Sequence, residues 1–169
     1  MNTSTYTTVQ VHKAMEEIVS KVRQEIEDLN YGGCGWFVHY ILKEFERYNV
    51  DISQYWVVYL VDYGFYDEEE IEYNLKNRTG KRSSSHLMIM FDEIYYDGYH
   101  HGETYDEDYW DNETQYLVRT NAADMRAACE NRWDWNDNYD YKHYNTTLRK
   151  IIYNSFRKHL YNGNNQATV

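Results

Sequence analysis

Two apolar stripes of helical period, parted only by Asn30-Tyr31-Gly32-Gly33, constrain this chain more than any other feature. Val11, Met15, Ile18, Val22, Ile26 and Leu29 recur at steps of three and four, which predicts a helix from about Val9 to Leu29. Thr7 or Thr8 can cap its start. The Gly32-Gly33 pair ends it. A second helix begins at or near Cys34, because Cys34, Phe37, Val38, Ile41, Leu42, Phe45 and Tyr48 fall on one face. Lys43, Glu44, Glu46 and Arg47 lie largely outside that stripe. Each helix needs a second layer to bury its stripe.

The following segments supply that layer as strands. Tyr55 to Val61 is an unbroken β-branched and aromatic run. His86 to Phe91 and Ile94 to Tyr96 read as two strands joined at Asp92-Glu93, and Gln115 to Arg119 as a further strand. A short helix is placed around Glu69 to Leu75, another over Asn121 to Arg132 capped by Thr120 or Asn121, and a last one over Asn145 to Leu160. Leu148, Ile151, Ile152, Phe156 and Leu160 form its apolar face. The fold class is therefore α+β, with one domain over residues 1–161 and a frayed tail over residues 162–169.

Charge narrows the partners. Lys and Arg number 17 against 28 Asp and Glu, a net charge of −11. Such a surface repels nucleic acid and anionic lipid and attracts basic proteins. No basic region leads into an apolar run at the N-terminus, and no segment reaches the roughly 20 apolar residues of a membrane span. The expected location is the cytoplasm, with the two cysteines, Cys34 and Cys129, reduced. The absence of proline, beside abundant Asn and Tyr, points to an AT-rich genome such as that of a virus or low-GC bacterium.

Cys34 is the first candidate for chemistry. It follows two glycines and opens an apolar helix, where free N–H groups and a partial positive charge favour a thiolate. The competing reading is a buried core cysteine. A cysteine nucleophile needs a base, and the base needs an orienting group. His86 starts an apolar strand after Lys81-Arg82-Ser83-Ser84-Ser85. If Asp92-Glu93 is a two-residue hairpin loop, Phe91 pairs with Ile94, Met88 lies opposite Asp97 and His86 opposite Tyr99. Asp97 is then a diagonal neighbour of His86 on one sheet face, within reach of its ring. The competing reading of Asp97-Gly98 is a turn pair.

The order GGCGWFVHYILKEF, SSSHLMIMF, IYYDGYHHG resembles the papain-like and transglutaminase-like cysteine enzymes over about Asn30 to Gly102. The resemblance implies a papain-like core, in which a helix bearing the N-terminal Cys packs on a small antiparallel sheet with flanking helices. It implies acyl-transfer chemistry on a peptide, protein or amide substrate through Cys34, His86 and Asp97, without a cofactor. Those proteases place a Gln before the nucleophile to bind the oxyanion. Here the preceding residues are Glu27-Asp28-Leu29-Asn30, so Asn30 is the nearest side-chain amide, beside the Cys34 N–H.

A different class of function rests on the acidic stretches. Asp62, Asp67, Glu68, Glu69, Glu70 and Glu72 form one, and Glu103, Asp106, Glu107, Asp108, Asp111 and Glu113 the other. Either is a solvated face or a binding face for a basic protein, as in a viral anti-defence or DNA-mimic inhibitor. Trp36, Tyr105, Tyr109 and Trp110 are the candidate contacts for substrate or partner. His100, His101 and Glu103 fall short of a metal site, so no metal is expected. Thr79-Gly80-Lys81-Arg82-Ser83 lacks the first glycine of a phosphate loop. Cys129 reads as helix packing, and the Asn-x-Thr triplets at Asn77, Asn112 and Asn145 carry no signal in a cytosolic protein.

Overall fold

The computed structural model describes residues 6–27, 29, 33–62, 86–103, 113–130 and 141–161. The expected helix around Glu69 to Leu75, the Thr79–Ser83 segment and the tail 162–169 lie outside them. The described residues form an α+β structure of helices packed on a five-stranded antiparallel sheet.

Helix α1 spans Thr8–Glu25 and opens with a reciprocal cap: Thr7 Oγ1 accepts the Gln10 N–H, and Gln10 Oε1 accepts the Thr7 N–H at 2.8 Å. It ends before the expected Leu29. Ile26 is already extended, and its carbonyl accepts a hydrogen bond from the Tyr99 hydroxyl at 3.1 Å. The Leu29 N–H donates to the same hydroxyl at 2.7 Å. Tertiary partners thus replace the last helical turn, although the apolar stripe continues to a buried Leu29.

Helix α2 spans Cys34–Arg47, starting where the sequence places it. Gly33 is its N-cap, and its carbonyl accepts the N–H groups of Trp36 and Phe37. A side chain at Gly33 would put its Cβ 2.6 Å from the Leu29 carbonyl oxygen, so close backbone approach requires glycine.

The strands are β1 (Tyr55–Asp62), β2 (His86–Phe91), β3 (Ile94–Tyr96), β4 (His101–Gly102) and β5 (Glu113–Val118), in the order β4-β3-β2-β1-β5. Strand β4 is a two-residue element inside the expected loop after Gly98. Helix α3 spans Ala122–Glu130, with Asn121 Oδ1 capping the Asp124 N–H at 2.8 Å. Helix α4 spans Tyr141–Phe156 and widens into a π turn at Arg157–Tyr161.

Helix α2 is the central helix, packing on β2, α3 and α4, while α1 packs on α4 and the π turn. Phe37, Ile41, Leu42 and Phe45 of α2 join Val57, Leu87, Ile89 and Phe91 of the sheet in the main core. Alternation along β1 and β2 sends Val58, Leu60 and Met88 into a second, smaller cluster. No described helix is long and apolar enough to cross a membrane.

The β2–β3 hairpin is the element that matters for the site. Phe91 pairs with Ile94, Met90 with Tyr95 and Ile89 with Tyr96, the register expected from a two-residue loop. Asp92 and Glu93 have φ of 48° and 64°, both in the left-handed region that this tight turn requires. Replacing Glu93 by glycine removes a side chain from a position that favours none. The Glu93→Gly protein is expected to unfold at higher temperature, with a gain of roughly 0.5–1 kcal/mol. Calorimetric unfolding checks this, and a lower transition temperature contradicts it.

Candidate functional site

Three chain segments meet at one point: the first residue of α2, the first residue of β2 and the residue after β3. They bring Cys34, His86 and Asp97 together. His86 Nε2 and Asp97 Oδ2 are 3.0 Å apart, and the Cys34 thiol lies near enough to the same imidazole to raise its proton affinity. Nε2 is the ring nitrogen that the carboxylate engages. All three residues are buried, at 2%, 1% and 3% exposure.

The ladder expected beyond Tyr96 does not form. Strand β3 stops at Tyr96, and neither Asp97 with Met88 nor His86 with Tyr99 makes a cross-strand pair. Asp97 instead turns the chain. Its Oδ1 accepts the N–H of Tyr99 at 2.6 Å and of His100 at 2.8 Å, and its own N–H donates to the His100 carbonyl at 3.0 Å. One carboxylate oxygen thus meets the His86 ring, without the expected ladder, and the other makes the turn.

The electrostatics follow from that arrangement. Burial alone lowers the proton affinity of His86. Its hydrogen bond to the Asp97 carboxylate, with the nearby Cys34, overrides burial and raises its pKa from 6.5 to about 10. Burial alone raises the pKa of Asp97, but the His86 hydrogen bond and charge and the two backbone N–H groups bring it from 3.8 to about 2. The stabilisation linked to His86 is fully present below 6.5 and is lost as pH rises through about 10. That linked to Asp97 is present above 3.8 and is lost as pH falls through about 2. The charged pair therefore persists across the neutral range.

Tyr99 is a positioning residue that sequence reasoning misses. Its hydroxyl accepts from Leu29 N–H and donates to the Ile26 carbonyl, which ties the Asp97 turn to the segment leading into Cys34. Proximity to Asp97 is the only sequence signal for it. His39, unremarked in the sequence, is buried on α2 with Nδ1 3.0 Å from the Ala122 carbonyl oxygen, so it docks α3.

Trp36 is buried, with its ring against His39 and Tyr40, which is a packing position. Asn30, Tyr105, Tyr109 and Trp110 lie outside the described residues, as do Asp67, Glu68, Glu69, Glu70, Glu72, Asp106, Glu107, Asp108 and Asp111. Cys129 falls within α3. His100 faces Asp97 Oδ1 at 3.5 Å, and His101 stacks on Tyr96. Among the described residues no group of three His, Cys, Asp or Glu side chains is placed to hold a metal.

Two outcomes are expected. In an NMR titration the His86 ring resonances remain those of an imidazolium from 6.5 to well above neutrality, approaching a midpoint of about 10; a midpoint at or below 6.5 contradicts the charged pair. Tyr99→Phe removes two hydrogen bonds from one buried junction and costs roughly 1–3 kcal/mol in denaturant unfolding. A change within a few tenths of that unit shows the junction holds without the hydroxyl.

No known protein family, curated protein or solved structure matches the chain.

Proposed function

We propose that the protein is a papain-like cysteine hydrolase or acyl transferase that acts on a peptide or amide bond. The observation that carries this reading is the buried meeting of Cys34, His86 and Asp97, with His86 Nε2 3.0 Å from Asp97 Oδ2. Sulfur, imidazole and carboxylate stand in the order that nucleophilic catalysis by a thiol needs. The secondary structure supports it too, because a papain-like core places its Cys at a helix start and its His and acid on neighbouring antiparallel strands.

In the proposed reaction His86 holds the proton of the thiol. The sulfur attacks the carbonyl carbon and forms a C–S bond. The carbonyl oxygen gains the negative charge and is met by the Cys34 backbone N–H, one of the unpaired donors of a helix first turn. The sequence candidate for a second donor is Asn30. Collapse breaks the C–N bond, and His86 passes its proton to the departing amine. Water or another amine then attacks the acyl-enzyme, returns its proton to His86 and restores the thiol. Asp97 fixes the ring and stabilises its charged form throughout. No step needs a cofactor.

One observation favours a second reading. Cys34 is only 2% exposed. Under that reading the triad is a structural relic, and the net charge of −11 serves a non-catalytic cytoplasmic protein, of viral anti-defence type, that covers a basic host protein.

Alkylation and acylation separate the two. Cys129→Ser leaves Cys34 as the sole thiol of the chain. In that background a thiol-directed acyl probe is expected to label the protein, with a rate that Asp97→Asn lowers roughly 10²- to 10⁴-fold. Cys34→Ala is expected to abolish labelling while the circular dichroism spectrum stays unchanged. A native protein that resists the probe until it is denatured sinks the enzyme reading and leaves the acidic binder.

A further inference from the structure

Helices α2 and α4 flank an open cavity of about 360 Å³, at the opposite end of α2 from Cys34. Four cations line it: Lys43 and Arg47 from α2, Arg149 and Lys150 from α4. Glu44 is the single carboxylate in the lining. A local excess of positive charge in a chain of net charge −11 runs against the composition of the whole molecule.

The bland explanation covers only half of it. Cations near a helix C-terminus complement the helix dipole, which suits Lys43 and Arg47 in the last turns of α2. Arg149 and Lys150 lie in the middle of α4, where no such field acts. Arg47 is already committed: its Nη1 is 3.0 Å from both Glu44 oxygens, and its guanidinium sits 5.0 Å from the Tyr153 ring centre. Glu44 is buried and oriented by that contact, and its charge also acts on Lys43 and Arg149. Among the described residues no carboxylate forms an ion pair with Lys43, Arg149 or Lys150. Four cations therefore face one carboxylate in this lining, an excess of positive charge that an anion would offset.

We propose that this cavity binds a small phosphate-bearing molecule. Its volume falls within the range of small-ligand sites, about 300–1,000 Å³. Several Lys and Arg donors from two helices suit the oxygens of a phosphate dianion better than a single carboxylate. Tyr40 and Tyr153 supply aromatic walls beside the cations for the organic part. The site is independent of the triad, and the proposal stands whether or not Cys34 is a nucleophile.

The test is thermal unfolding and calorimetric titration of the full chain with inorganic phosphate, pyrophosphate, adenosine monophosphate and citrate at fixed ionic strength. A saturable rise in transition temperature is expected with the phosphate compounds, and a larger one with the monophosphate than with inorganic phosphate if the tyrosine walls contribute. Arg149→Glu/Lys150→Glu alters two exposed side chains and is expected to weaken binding roughly tenfold or more. Lys13→Glu/Arg23→Glu makes the same change in net charge on α1 and is expected to leave binding unaltered. No saturable rise, or equal weakening in both double variants, overturns the site. Citrate binding as tightly as pyrophosphate overturns the phosphate assignment.

Discussion

Moving an ion from water into a protein interior costs several kcal/mol even after relaxation, and a buried pair repays this only when its remaining polar atoms are also satisfied. The Asp97 side of the His86–Asp97 contact meets that condition. Asp97 spends one oxygen on the imidazole and the other on two backbone N–H groups. The turn after β3 is shaped by this requirement, since Tyr99 and His100 must present their N–H groups to the same oxygen. The ladder between β2 and β3 stops at Tyr96 for the same reason. A carboxylate paired across the sheet could not have turned back to collect those donors.

The other side of the junction is set by close approach rather than charge. Gly33 lets the chain pass the Leu29 carbonyl, and its own N–H donates to that carbonyl at 2.7 Å. Tyr99 then reaches from the Asp97 turn to bridge Ile26 and Leu29. Sulfur and imidazole are held at their separation by two independent supports: the β2–β3 hairpin for the ring, and the Gly33–Leu29 crossing for the thiol. Helix α2 adds rigidity through His39 and Glu46, whose side chains bind the Ala122 carbonyl and N–H at the start of α3.

Regular packing was legible in the sequence, and irregular backbone was not. The starts of α2 and β2, and both ends of β3, follow from period and composition because each buries a continuous stripe. The end of α1 was misplaced because the stripe reaches Leu29 while the backbone leaves the helix at Ile26 to meet Tyr99, a partner about seventy residues away that no local pattern encodes. Hairpin parity brought His86 and Asp97 to one end of the hairpin through the Phe91–Ile94 register, although the ladder it assumed stops at Tyr96. The detailed form of their contact was not legible, because the Asp97 turn depends on backbone donors that follow it. The groove between α2 and α4 was invisible for a related reason: Lys43 and Arg149 are remote in sequence, and only helix packing brings them together.

A buried ionic chain is poor evidence of stability, since hydrocarbon of equal volume often packs as well or better in its place. That asymmetry bears on why the chain keeps one. If the triad were only a packing device, joint replacement of His86 and Asp97 by apolar residues would carry no penalty. A sulfur held against a charged imidazole, with the ring's far side fixed by a carboxylate, is a costly way to fill space. It is an economical way to hold a proton between a thiol and a leaving group. Under the proposed function, that proton-holding role is what the buried charges are kept for.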